Sequence, residues 1–152
     1  MSKPKVLFLC SGDSARGQMA EAFLRAYAGD HFDVYSAGLE PKEIHSLTIR
    51  VMQELRFDLA GQRAKGLEEF LGQVHVGYLV TLCQRAQQMC PVFPGVATRI
   101  FWPFEDPAQA GGTEHERLAV FRRVRDAIDD RIWHWVEDEL HLPLQTAPTP
   151  LP

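Results

Sequence analysis

The chain has 152 residues, with 16 lysines and arginines against 20 aspartates and glutamates, and a formal net charge of −4. That length fits one domain around one core, and a net negative charge supplies no global basic field to draw the chain to nucleic acid or to an anionic membrane. No apolar run approaches the ~20 residues that cross a bilayer; Val6-Leu7-Phe8-Leu9 is too short for a signal peptide and no small-residue cleavage site follows it, so a cytoplasmic location is expected.

Lys5–Cys10 reads as a buried strand, a short apolar run that stops at Ser11-Gly12-Asp13-Ser14. A helix follows, because Met19, Ala22, Phe23, Ala26 and Tyr27 recur at three- and four-residue spacing until Gly29-Asp30 stops them. Residues 32–37 predict a second strand, 44–55 a helix with Leu47, Val51, Met52 and Leu55 on one face, and 65–71 a short helix. Residues 74–82 predict a third strand and 99–102 a fourth. The longest helical pattern runs over 114–140, with Leu118, Phe121, Val124, Ile128, Ile132 and Trp135 as its apolar stripe. Residues 142–152 hold four prolines and no helical period, so they predict a loose tail after a single catalytic domain over 1–141. Strands alternating with helices imply an α/β fold with a parallel sheet covered on both faces. In such sheets ligands bind at the carboxyl ends of the strands, where Cys10 stands.

Cys10 and Arg16 flank five residues, Ser11, Gly12, Asp13, Ser14 and Ala15. A tight turn between strand and helix aims successive backbone N–H groups inward, and the helix adds its positive end. Both favour a thiolate below the ordinary ~8.5 and a bound anion. Arg16 can grip two oxygens of a tetrahedral anion at once, and Gly12 is expected to let the backbone approach it. The alternative is a core cysteine beside a solvated arginine. The missing Gly-Lys-Ser/Thr and Gly-x-Gly-x-x-Gly patterns weigh against a nucleotide loop.

Asp106, in Trp102-Pro103-Phe104-Glu105-Asp106-Pro107, can protonate a leaving group if its loop returns to Cys10; spacing alone favours a turn aspartate before proline. Cys83 ends the third strand, and Cys90 follows seven residues later. Seven residues of helix rise ~10.5 Å, so the two cannot bridge until that segment unwinds. Such a labile bond suits a redox relay better than a structural staple. Two buried, unconnected thiols are the alternative. Two thiols with no nearby histidine make a poor zinc site, and none of the six scattered histidines stands out.

Taken together, Val6-Leu7-Phe8-Leu9-Cys10, Arg16-Gly17-Gln18-Met19-Ala20-Glu21, Ser36-Ala37-Gly38, Val80-Thr81-Leu82-Cys83, Cys90-Pro91-Val92-Phe93-Pro94-Gly95 and Asp106-Pro107-Ala108 resemble the thioredoxin-coupled arsenate reductases of the low-molecular-weight protein tyrosine phosphatase superfamily. The resemblance implies a three-layer sandwich on a four-stranded parallel sheet. It also implies a relay in which Cys10 attacks arsenate, Cys83 attacks Cys10 and releases arsenite, and Cys90 resolves the bond for thioredoxin to reduce. Arg16 and the loop residues would hold the oxyanion, and Asp106 would act as acid. The expected protein works as a monomer and carries no cofactor. Some relatives bind potassium near the loop; Glu21 and Ser36 match part of that site, but Lys65 falls near where a carboxylate is wanted, so no metal is expected. Where the family has asparagine this chain has Asp13, whose anion would oppose both thiolate and oxyanion unless protonated or paired. Where the family has a hydroxyl residue hydrogen-bonded to the nucleophile it has Gly17, and where the family has a further cysteine it has Ala15. Two other functions use the same loop: a phosphatase, which has no need of Cys83 and Cys90, and a non-catalytic oxyanion-binding or thiol-sensing module, which Asp13 and Gly17 favour.

Overall fold

The computed structural model describes residues 3–70, 75–89, 96 and 98–144. Strands β1 (Lys5–Cys10), β2 (Asp33–Gly38), β3 (Tyr78–Thr81) and β4 (Thr98–Phe101) form one parallel sheet in the order β2-β1-β3-β4. Helices α1 (Arg16–Ala28), α2 (Ser46–Gln53), α3 (Gln84–Met89) and α4 (Glu114–His134) connect or follow the strands. β1 lies between two neighbours, so its apolar residues alternate between two covered faces. Val6 and Phe8 meet Met19, Phe23, Val51, Phe121 and Ile128 on one side, while Leu7 and Leu9 meet Leu67, Phe70, Leu79 and Ala86 on the other. This is the expected three-layer arrangement, and all six stripe residues of the last helix are buried. Among the described residues no helix is long and apolar enough to cross a membrane.

Several boundaries differ from the sequence reading. β3 starts only at Tyr78; Val76 is apolar because it is buried in the second core, not because it pairs in the sheet. Of the short helix predicted over 65–71, residues 65–70 are described and supply a single 3-10 turn, Leu67–Glu69. Helix is lost there because residue 65 is drawn to β2: Gly38 N–H donates to the Lys65 carbonyl at 2.7 Å, and Gly38 bridges Gly66. α2 is shorter than its periodicity. His45 caps it through Nδ1, which accepts from Leu47 N–H at 3.0 Å, and Arg56 beyond its end has φ 65. The last helix ends in a π turn, Trp135–Glu139. Leu142 and Leu144 pack against the first core, and the rest of the proline-rich tail lies outside the described residues.

Candidate active site

The site grows from the end of β1. The carbonyls of residues 10–15 are all engaged from outside the loop. Cys10 O accepts from Leu39 N–H, Ser11 O from Glu40 N–H, Gly12 O from Lys42 N–H and Ser14 O from His45 N–H, at 2.9–3.1 Å. Asp13 O accepts from Gln18 Nε2 at 3.0 Å, Ser14 O also accepts from Thr48 Oγ1 at 3.0 Å, and Ala15 O starts α1. With the carbonyls tied outward, the loop's N–H groups are left to face inward, which is what an anion cradle requires. Asp13 N–H points at Cys10 Sγ at 3.3 Å. Ala15 offers no capping side chain to α1, so the helix end adds its positive potential to the same space.

The glycine that permits this path is Gly38. A Cβ on Gly12 would make only ordinary contacts, the nearest at 3.6 Å, whereas a Cβ on Gly38 would stand 2.7–2.9 Å from the backbone of Ser11, Gly12 and Asp13. The loop's left-handed residue is Asp13, φ 52.

Arg16 is buried; Nη1 donates to the Phe104 carbonyl at 3.1 Å and Nη2 lies 3.6 Å from Asp106 Oδ2. The loop containing Asp106 therefore does return to the Cys10 edge. Asp106 also caps its own 3-10 turn, accepting from Ala108 N–H at 3.0 Å, so it is a turn aspartate that at the same time stands beside Arg16. Cys83 directly follows the β3 edge and precedes α3. Its Sγ lies 3.5 Å from Ser11 Oγ and accepts from Ala86 N–H at 3.3 Å. The adjacency arises because β1 and β3 pair in parallel, Leu9 opposite Thr81. Cys10 and Cys83 are free and buried; Cys90 lies outside the described residues.

The thiolate expectation needs correction. Burial first, and the Asp13 carboxylate second, push the Cys10 thiol up to about 12 against the opposing pull of Arg16 and the N–H groups of Gly17 and Asp13. Asp13 is itself fully buried, with Oδ1 unpartnered and Oδ2 accepting from Lys65 N–H at 3.0 Å. Burial raises its carboxyl to about 7 against the pull of Lys65, whose Nζ stands 3.6 Å away. The pairing that the sequence left open thus exists. Gly17 is explained by the same carboxylate: a Cβ there would stand 2.5 Å from Asp13 Oδ1 and 3.1 Å from Cys10 Sγ. Asp13 fills the space that a side chain at position 17 would need.

A cavity of about 160 Å³ opens beside the loop, lined by polar groups of Ser11, Ser14, Glu40, Lys42, Arg85 and Asp106. Glu40 and Arg85 are ion-paired across it. Sequence reasoning placed Lys65 near the loop but not its pairing with Asp13, and it missed Glu40, Lys42, Arg85 and His45; each reaches the loop from a distant segment, and no local pattern marks it. Among the described residues no group of three or more His, Cys, Asp or Glu is placed to hold a metal.

The model of the low molecular weight phosphotyrosine protein phosphatases matches residues 5–143. The chain belongs to that family. Within it, the chain is 42% identical over 137 residues to an arsenate reductase of Halalkalibacterium halodurans, spanning 90% of this chain and 98% of the relative. Among solved structures, an arsenate reductase in the phosphate binding state superposes with a TM-score of 0.73 at 30% identity, covering 86% of this chain and 95% of the other. A thioredoxin-dependent arsenate reductase of Corynebacterium glutamicum superposes with a TM-score of 0.64 at 27% identity, covering 91% of this chain and 63% of that one.

Proposed function

We propose that this family member is an arsenate reductase that uses a Cys10–Cys83–Cys90 relay and is regenerated by thioredoxin. The observation that carries this reading is the second thiol, Cys83, in contact with the oxyanion loop through Ser11. A hydrolase has no use for it there. In the first step arsenate enters the loop and Arg16 binds its oxygens. The Cys10 proton passes to the oxyanion, the sulfur attacks arsenic, and water leaves with Asp106 as acid. Cys83 then attacks Cys10 sulfur; the sulfur–arsenic pair of electrons goes to arsenic, which departs as arsenite. Cys90 attacks Cys83, restoring the Cys10 thiol and leaving a Cys83–Cys90 disulfide for a dithiol such as thioredoxin. That last bond requires α3 between the two cysteines to unwind. Every sulfur comes from one chain, so the protein acts as a monomer, in a compartment that keeps thiols reduced. We assign the catalytic domain to residues 1–141 and the proline-rich tail to residues 142–152, with Leu142 and Leu144 packed on the first core.

Phosphatase activity is the second reading, favoured by Arg16 beside Asp106. The approach to the loop is rimmed by charged Glu40, Lys42, Arg85 and Asp106, an entrance that suits an inorganic oxyanion better than an aryl ring. Turnover of arsenate with thioredoxin, set beside hydrolysis of an aryl phosphate, tests the choice. Cys10→Ser should abolish both. Cys83→Ser and Cys90→Ser should each abolish multiple turnover of arsenate and leave aryl-phosphate hydrolysis nearly intact. Sustained arsenate turnover by both variants would replace the relay with the phosphatase reading.

A further inference from the structure

Around Asp13 of the oxyanion loop lies a charge cluster whose other members, Lys65, Glu21, Ser36 and the Arg63 carbonyl, do not line the cavity. Lys65 Nζ is 2.6 Å from the Arg63 carbonyl, 3.4 Å from Glu21 Oε1, 3.5 Å from Ser36 Oγ and 3.6 Å from Asp13 Oδ2. Four oxygens from four separate segments converge on one ammonium, whose side chain is only 12% exposed. The rest of residue 65 is pinned as well: its N–H donates to Asp13 Oδ2 and its carbonyl accepts from Gly38 N–H. Glu21 has a second cation, Arg25 at 3.0 Å, and accepts from Ser36 Oγ at 2.7 Å. Asp13 has neither; among the described residues Lys65 is the one cation within ion-pair distance of it, and its other oxygen is buried without a partner.

A doubly charged oxyanion in the loop would lie close to this cluster, because Asp13 is a member of both. Without Lys65 it would face two buried carboxylates, and low-dielectric surroundings would enlarge the repulsion. We propose that Lys65 is a positioning residue for oxyanion capture: its ammonium acts as a tethered monovalent cation that neutralises Asp13 and Glu21 and so lets a tetrahedral dianion bind in the loop. Tethering replaces recruitment of a free cation from solution. The inference rests on the reading of the loop as an oxyanion site, but not on arsenate reduction or the cysteine relay.

The test is therefore binding of inorganic phosphate to the full-length reduced chain, measured by isothermal titration calorimetry at fixed ionic strength. The supporting electrolyte is tetramethylammonium, potassium or ammonium chloride. Wild-type affinity should be the same in all three. Lys65→Ala empties the ammonium position; it should bind phosphate on the order of tenfold more weakly in tetramethylammonium, which is too large for the cage. Potassium or ammonium should restore most of that loss. Lys65→Met keeps the stem and the fold but not the charge, and it should lose the same affinity with no recovery in any salt. A purely structural lysine would not give cation-specific rescue. Wild-type affinity in both variants, or equal weakening of Lys65→Ala in all three salts, would overturn the proposal, as would a wild-type chain that binds no phosphate. Failure of arsenate turnover in a wild type that still binds phosphate would count against the reductase reading alone.

Discussion

Replacing Asp13 by asparagine should make the nucleophile easier to ionise, and the structure sets the size of the effect. Asp13 Oδ1 and Cys10 Sγ stand 2.5 Å and 3.1 Å from one point, the place a Gly17 Cβ would occupy, so they are no more than roughly 5.6 Å apart. A unit negative charge at that separation, in an effective dielectric of ~20, costs the thiolate about 3 kcal/mol, or about two pH units. The charge is present when it matters, because the carboxyl ionises at about 7 while the thiol sits at about 12. Asparagine keeps the shape and removes the charge. The clean assay uses a Cys83→Ser/Cys90→Ser background, in which Cys10 is the one remaining thiol. The rate of alkylation by iodoacetamide is followed against pH, with and without Asp13→Asn. The midpoint should fall by about two pH units. An unchanged midpoint would mean that Asp13 is neutral or fully compensated across the whole range, and the electrostatic reasoning would fail.

The same carboxyl should mark the protein's stability. Its folded value, about 7, lies above the ordinary 3.8, so between those values the unfolded chain releases the proton first and stability falls as pH rises. The wild-type stability minus that of Asp13→Asn, from urea denaturation, should therefore decline from pH 4 to 7 by up to about 4 kcal/mol and then level off; a flat difference would contradict the burial of an ionisable Asp13. Gly17→Ser, although it restores a family hydroxyl, should destabilise by about 1–3 kcal/mol through overpacking against Asp13 Oδ1. Thermal unfolding would show this, and the loss should shrink in Asp13→Ala/Gly17→Ser, where the obstructing oxygen is gone.

Local features of the sequence determined much of this protein. The apolar run of β1, the three- and four-residue periods of α1 and α4, and the Cys10-to-Arg16 spacing were legible because each records a burial pattern or a turn within a few neighbouring residues. They sufficed for an α/β fold with a reactive loop at a strand end, and the wider set of matching segments sufficed for the family. What they could not contain is which distant groups share that loop. The strand order β2-β1-β3-β4 brings Cys83 to Ser11, the turn after β4 brings Asp106 to Arg16, and the bridge between Gly38 and Gly66 brings Lys65 to Asp13. Asp13 shows the difference most clearly. In the sequence it is a misplaced anion beside a nucleophile; in the fold it occupies the space Gly17 leaves empty and is held by a lysine 52 residues away. Its protonation, and that of Cys10, depends on desolvation and on charges that only tertiary packing brings within a few ångströms.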